Sequence, residues 1–513
     1  MFTAEPPTHR RIALALLILG VGFRAWAVGH ARFTGDESYF WATARNIATF
    51  EAAPVYGPSL TGSGAYHPGP IFYYLMALPQ RLGASPWWGG LFVVLLHGGA
   101  AVLLASIAHR SRGMRCALFA LALWAFAPWD VLYADRIWLS CVAPVWGTLL
   151  LYAATRLEAP RWQGALVFLA VVCPQLHMSA PIVWGGVALM IALGPKIVWR
   201  WRALAIGAAL AVLAYAPPIY WELTHGFTNT RAILSEGGGH QPWETVAQTP
   251  LKVALYALLY STSEISYHFQ TGYWRPFDDL AAYGTLAGWR TIGARLGASL
   301  TALDVFTVLL ALGCWLVSLA ALASRGWAAA RAKSRSMLGP EQVLLCGLLT
   351  SLLLAMVLMM MSRKLYFPHY TNLLMPVLLF PVAAGLDRLV DRFPRAYSLI
   401  LGGLAASMLA MAVSTSRYYL EVDRKNGLEA TLGMIDEVIS GPAPIELRFD
   451  GFNNRFAWEM LANTKYKHPL RIEARAPVRW QVKNNEIAAL GVLPDGATVH
   501  DGVLLLRSAG AAP

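Results

Sequence analysis

Long apolar runs alternate with short polar stretches from residue 11 to residue 416, the pattern of a chain that crosses a lipid bilayer many times. Crossing about 30 Å of hydrocarbon at 1.5 Å per residue takes about 20 helical residues. Eleven segments meet or approach that length, at 11–30, 87–108, 116–133, 139–156, 162–176, 178–194, 203–221, 296–324, 341–361, 371–389 and 396–416. Lys and Arg should then gather in every second connection, and they do: Arg10/Arg11, Arg110/Arg112/Arg115, Arg156/Arg161, Lys196/Arg200/Arg202, Arg325/Arg331/Lys333/Arg335 and Arg388/Arg392/Arg395. This alternation places the N-terminus in the cytoplasm and the C-terminus outside an inner (cytoplasmic) membrane. Ile12 to Val28 is too long for the core of a signal peptide and reads as the first span.

Three longer segments face outward in this topology: 31–86, 222–295 and 417–513. In the first, Phe40, Trp41, Ala44, Ile47 and Ala48 share one helical face, which predicts a helix lying on the membrane surface. The apolar stretch 70–83 is short, contains Pro79 and would invert the charge pattern of every later loop if it crossed, so it predicts a second surface helix. In the last segment, Leu428, Leu432, Ile435 and Ile439 repeat at helical spacing. Ile445, Leu447 and Phe449 then alternate with Glu446, Arg448 and Asp450 as a half-buried strand does. The expected fold class is an all-α polytopic membrane domain over 1–416, followed by a small extracytoplasmic α/β domain over 417–513 that packs independently of any catalytic cavity.

Composition agrees with a membrane chain. Of 513 residues, 57% are hydrophobic and 14% charged, with a mean hydropathy of +0.47, whereas a soluble protein carries about 25% charged residues. The net charge of +12 would suggest a nucleic-acid partner in a soluble chain; here it reflects the cytoplasmic loops, and no nucleic acid is implied. Cys116, Cys141, Cys173, Cys314 and Cys346 all fall in or at the ends of apolar runs, which suggests neither a disulfide framework nor a zinc site.

The unusual polar residues gather on the outward side. Thr34-Gly35-Asp36-Glu37 opens the first surface helix, where the acids are either a cap on the helix dipole or a catalytic pair. Tyr66-His67-Pro68-Gly69-Pro70 leads into the second. Tyr133-Ala134-Asp135-Arg136-Ile137-Trp138 ends the third span, as an interfacial ion pair or as part of a site. Gln175-Leu176-His177 forms the apex of a short hairpin. Ser362-Arg363-Lys364 and His369-Tyr370 lie at another outer helix end, where basic residues also serve as snorkelling anchors. Acids and cationic groups on one membrane face suit a reaction in which a hydroxyl attacks a sugar carried on a lipid phosphate. A carboxylate takes the hydroxyl's proton, and Arg, Lys or His holds the departing phosphate. There is no Walker loop and no G-x-G-x-x-G between strand and helix, so no nucleotide site is suggested.

At these residues the chain resembles the GT-C glycosyltransferase superfamily, in the branch with protein O-mannosyltransferases and lipid A aminoarabinose transferases. The resemblance covers roughly the first 420 residues. It rests on Gly35-Asp36-Glu37, the Tyr-His-Pro-Gly-Pro lead-in, Arg136-Ile137-Trp138, Gln175-Leu176-His177, and His369-Tyr370 followed by Pro376. It implies inverting transfer from a polyprenyl-phosphate sugar without a required metal. It makes Asp36 the general base, places His67 on the donor phosphate and aligns a second acid with Asp135. The chain departs from the pattern of the lipid A transferases at His67, where they have lysine, at Gly69, where they have proline, and at Tyr39, where they have arginine. Aminoarabinose is therefore not carried over as the sugar.

The expected function is a membrane glycosyltransferase moving a sugar from a polyprenyl-phosphate donor to a lipid, glycan or protein acceptor on the outer face. Asp36, Glu37 and Asp135 are the expected catalytic acids. His67, Arg136, His177, Arg363, Lys364 and His369 are expected at the donor phosphate, with Tyr39, Tyr66 and Tyr370 at the substrate. A transporter or flippase of a lipid-linked sugar is the alternative; it would favour polar residues at mid-membrane depth in broken helices. A non-enzymatic assembly subunit would leave the acids and cations without a role.

Overall fold

The computed structural model describes residues 5–31, 33, 35–60, 64–235, 242–262, 302–332, 338–363, 368–417, 419–420, 428–440, 445–450, 478–483, 497–500 and 503–509. Helix α1 (Pro7–His30) begins on a proline, tolerated there because a first-turn N–H has no helical partner. The two surface helices follow as α2 (Gly35–Ala48) and α3 (Ile71–Ala77), the latter stopping before Pro79. Ser85 caps α4 (Pro86–Arg112), accepting the Trp87 N–H at 3.4 Å, and Gly113 at φ 95° closes it.

Then come α5 (Met114–Phe126), the single turn α6 (Pro128–Leu132), α7 (Leu139–Ala154), α8 (Pro160–Leu176), α9 (Ala180–Leu193) and α10 (Trp201–Thr224). Next are α11 (Thr228–Ser235), α12 (Trp243–Val246), α13 (Thr249–Thr262), α14 (Ala302–Arg331) and α15 (Pro340–Ser362). Three 3₁₀ turns between Pro368 and Leu379 lead into α16 (Phe380–Arg392), followed by α17 (Tyr397–Arg417) and α18 (Leu428–Ser440). The tail adds β1 (Ile445–Asp450), β2 (Val478–Lys483), β3 (Ala497–His500) and β4 (Val503–Ala509) in a mixed sheet of order β1-β2-β4-β3. β1 runs parallel to β2, Ile445 opposite Val478, while β4 is antiparallel to both β2 and β3.

Among the described residues, six helices are long and apolar enough to cross a membrane: α1, α4, α10, α14 from Val305, α15, and α17 with its leading turn from Pro394. The chain is an integral membrane protein. The other five expected spans fall on shorter helices, and prolines account for two of them. Proline cannot donate the helical hydrogen bond and disfavours helix at the residue before it, so 116–133 divides between α5 and α6 at Pro128, and 371–389 starts as 3₁₀ turns around Pro376.

Small residues let helix backbones approach closely where no hydrophobic force distinguishes helix from lipid. Gly164 of α8 meets Gly207 of α10, and Gly186 of α9 meets Gly347 of α15. At the end of the bundle opposite α2, Arg112 and Arg115 grip Asp387, and Arg388 pairs with Glu341, clamping α4, α5, α15 and α16. Inside the bundle, fully buried Arg24 of α1 donates to the carbonyls of Trp124 (2.7 Å), Ala125 (3.1 Å) and Gly20 (3.0 Å), its guanidinium 3.8 Å from the Trp124 ring centre. Two of these carbonyls belong to the last turn of α5, where helical N–H partners run out. Asp130 of α6 is buried within electrostatic reach of Arg24.

Replacing Arg24 with Met leaves the α5 terminus and Asp130 uncompensated. Hydrogen bonds to a charged group contribute about 1.5–3 kcal/mol each, so thermal unfolding in detergent is expected to show a loss on the order of 3 kcal/mol, with Arg24→Lys intermediate because it lacks the planar fork. An unchanged melting midpoint for Arg24→Met would contradict this account.

Candidate active site

The amphipathic pattern of α2 seats one face and leaves the other open. Phe40, Trp41 and Ala44 are buried; Phe40 meets Phe72 of α3 edge-on at 5.4 Å. Trp41 donates its ring N–H to Ala84 O at 2.8 Å, and Gln80 donates to Trp41 O at 3.1 Å. Successive helical residues point about 100° apart, so this seating sends the two acids different ways. Asp36 stays exposed. Glu37 turns inward, 4% exposed, its Oε1 3.9 Å from Arg136 Nη1. The protein around Asp36 withdraws water from its carboxyl and raises its pKa from the ordinary value. Beside it, Tyr39 and Tyr73 lie edge to face at 6.4 Å, and burial raises the Tyr73 hydroxyl further still.

Asp135 and Arg136 occupy the turn between α6 and α7 and are both buried. Arg136 Nε donates to Asp135 Oδ1 at 3.2 Å, while the Tyr419 hydroxyl donates to Asp135 Oδ2. Trp138 stacks on Tyr133 at 6.2 Å and meets His369 edge-on at 5.6 Å.

The histidines come from three distant segments. His67 sits in a loop that pairs with itself through Gly57 N–H to His67 O (3.1 Å) and His67 N–H to Pro58 O (2.9 Å). Asn229 holds the residue before it on both sides, accepting Tyr66 N–H at 2.7 Å and donating to Tyr66 O at 3.1 Å. Tyr56, stacked on Tyr66 at 6.1 Å, donates its hydroxyl to Glu222. A side chain at Gly69 would collide with the Gln175 amide, which accepts Ile71 N–H and donates to Ala214 O at 3.1 Å. The glycine at this departure from the family pattern is thus matched to Gln175. His177 Nδ1 lies 2.7 Å from Ser179 Oγ and accepts the Ser179 N–H at 3.3 Å. Its ring centre is 5.8 Å from that of His369 and 6.2 Å from Tyr370.

Burial lowers all three imidazoles: His67 to about 4, His369 to about 3, and His177 well below the ordinary value, with repulsion from its neighbours adding to the last. They are neutral at pH 7. The buried cation beside them is Arg136, paired with Asp135 and Glu37. Arg363 ends α15, exposed, in the left-handed conformation at φ 48°. Lys364 and Thr34 lie outside the described residues.

Sequence reasoning missed Glu222, Asn229, Tyr73, Tyr419 and Arg24. Arg24 had a signal, a charge inside an apolar run; the others had none. It also placed the tail apart from the cavity, whereas Tyr419 and Leu428 at its beginning lie against Asp135 and Arg136. Among the described residues no three His, Cys, Asp or Glu side chains are arranged to hold a metal ion.

No protein-family model and no curated protein matches the chain. Among solved structures, the lipid A aminoarabinose transferase ArnT of Cupriavidus metallidurans in its apo state is similar with a TM-score of 0.54 at 13% identity, over 96% of this chain and 97% of that one. The fold is that of the GT-C transferases. The same ArnT bound to undecaprenyl phosphate gives a TM-score of 0.52, again at 13% identity and over 96% and 97% of the two chains. An oligosaccharyltransferase of Archaeoglobus fulgidus in complex with zinc and sulfate is 12% identical over 93% of this chain and 68% of its own, with a TM-score of 0.49. In this chain, an acid-bearing helix and a buried Arg136 share one end of the bundle with three neutral histidines.

An imidazole whose pKa falls below its unfolded value of 6.5 takes up its proton later in the folded chain than in the unfolded one. Its contribution to stability is therefore complete above pH 6.5 and is lost as the pH falls towards about 4. The melting midpoint in detergent is expected to drop between pH 7 and pH 5, and His67→Gln to flatten that slope. A slope unaltered by His67→Gln would show that His67 is not buried as a neutral ring.

Proposed function

We propose that the protein is an inverting glycosyltransferase that moves a sugar from a polyprenyl-phosphate donor to a hydroxyl of a lipid, glycan or protein acceptor on the outer face of the inner membrane. The observation that carries the reading is the division of labour at α2: one acid, Asp36, is open and of raised pKa, while its neighbour Glu37 is turned back to Arg136. On a GT-C fold, that arrangement offers a base at the surface and a cation behind it. Asp36 accepts the proton of the acceptor hydroxyl as its oxygen bonds to the anomeric carbon. The bond from that carbon to the phosphate oxygen breaks on the opposite face, so configuration inverts. The electron pair leaves with the polyprenyl phosphate, whose charge Arg136 balances while His67, His177 and His369 hydrogen-bond to its oxygens. Tyr39, Tyr66 and Tyr370 border the sugar. No metal is required in this reading. The five shorter helices complete eleven crossings, and the C-terminal α/β unit stands outside the membrane.

Asp36→Asn keeps the size of the side chain and removes the proton acceptor. With radiolabelled polyprenyl-phosphate sugars and membranes containing the protein, turnover is expected to fall about 10²- to 10⁴-fold, with folding and binding of undecaprenyl phosphate intact. Near wild-type turnover would remove Asp36 from catalysis, and movement of the intact lipid-linked sugar without transfer would favour the transporter.

Topology is tested separately. Single cysteines at Ser59 and Ala430 in a Cys-free background are expected to react with an impermeant thiol reagent from outside, and one at Ser334 to stay protected; labelling at Ser334 would invert the span count.

A further inference from the structure

Tyr419, just after α17, and Leu428, at the start of α18, lie behind the proposed site. Tyr419 is fully buried, its ring edge-on to Trp26 at 5.9 Å and its hydroxyl on Asp135 Oδ2. The other oxygen of the same carboxylate, Oδ1, takes Arg136 Nε at 3.2 Å, and Arg136 Nη1 continues to Glu37 at 3.9 Å. Leu428 N–H donates to Ala31 O at 3.0 Å, and the Leu428 side chain borders a small cavity with Val28, Phe33, Asp135 and Arg136.

A guanidinium beside a carboxylate tends to pair with both of its oxygens, and in a buried site that pairing is strong because little water competes. Here the phenol occupies one oxygen. Arg136 Nε takes the other, with Nη1 on the far side of the guanidinium turned to Glu37 of α2. From this we infer that Tyr419 is a positioning residue for Arg136: by dividing the Asp135 carboxylate, it keeps the guanidinium extended toward the donor phosphate, and so couples the start of the C-terminal segment to donor binding. The inference rests on the lipid-phosphate reading above and names the device that sets its cation.

The test titrates undecaprenyl phosphate, with uncharged undecaprenol as control, against the full-length protein in detergent, followed by tryptophan fluorescence. Tyr419→Phe keeps the ring against Trp26 and loses only the hydroxyl. Its melting midpoint should stay near wild type while the Kd for undecaprenyl phosphate rises about 10-fold, the effect of one hydrogen bond to a charged group, with undecaprenol unaffected. Asp135→Asn should give a loss of the same order, and the double variant no more than the larger single loss, because both changes break one chain of contacts. An unchanged Kd in either single variant, equal losses for phosphate and alcohol, or additive losses in the double variant would each overturn the positioning role. A wild-type protein that does not prefer the phosphate to the alcohol would instead overturn the lipid-phosphate reading, and this role with it.

Discussion

Where α5 stops short of Pro128, whose ring nitrogen has no N–H to give the Trp124 carbonyl, Arg24 reaches across from α1 to the carbonyls of Trp124 and Ala125. Arg24 thus stabilises the break from which the Asp135 turn follows. The break turns the polypeptide through α6 into the segment 133–138, which presents Asp135, Arg136 and Trp138. A continuous helix would have carried those residues up a straight wall. A broken helix needs its freed carbonyls satisfied, and a guanidinium with several donors in one plane satisfies them better than any neutral side chain.

Charge at the site is arranged by burial. Arg136 keeps its charge because Asp135 and Glu37 face it, whereas burial holds the three imidazoles in their neutral form at pH 7. A crowd of cations would repel itself in a low-dielectric setting. One held arginine with neutral rings around it avoids that repulsion. The same logic separates the acids of α2: Asp36 faces outward, where it can exchange a proton, and Glu37 turns inward, where it is an anchor.

The C-terminal end of α1 and the residues that follow α17 meet at this point. The end of α1 carries Trp26 and leads into Ala31, Tyr419 follows α17 and Leu428 opens α18, and Ala31, Tyr419 and Leu428 lie against the Asp135 turn. The mixed sheet follows directly after α18, so the tail is joined to the membrane bundle through the residues that border the site.

Hydropathy and periodicity by themselves determined the elements that need only local information: a polytopic helical chain, the surface helix over 35–48 with its buried face at Phe40, Trp41 and Ala44, and the strand over 445–450. They also singled out Asp36, Glu37, His67, Asp135, Arg136, His177 and His369, because polar residues at the ends of apolar runs stand out without any structure. Tertiary structure alone decided which acid is open, since that depends on the packing of α2 against α3, and whether the histidines are charged, since that depends on how much water reaches them. It alone could show Tyr419 on Asp135, 284 residues away, because a hydrogen bond between such distant residues leaves no periodicity, spacing or composition along the chain to mark it.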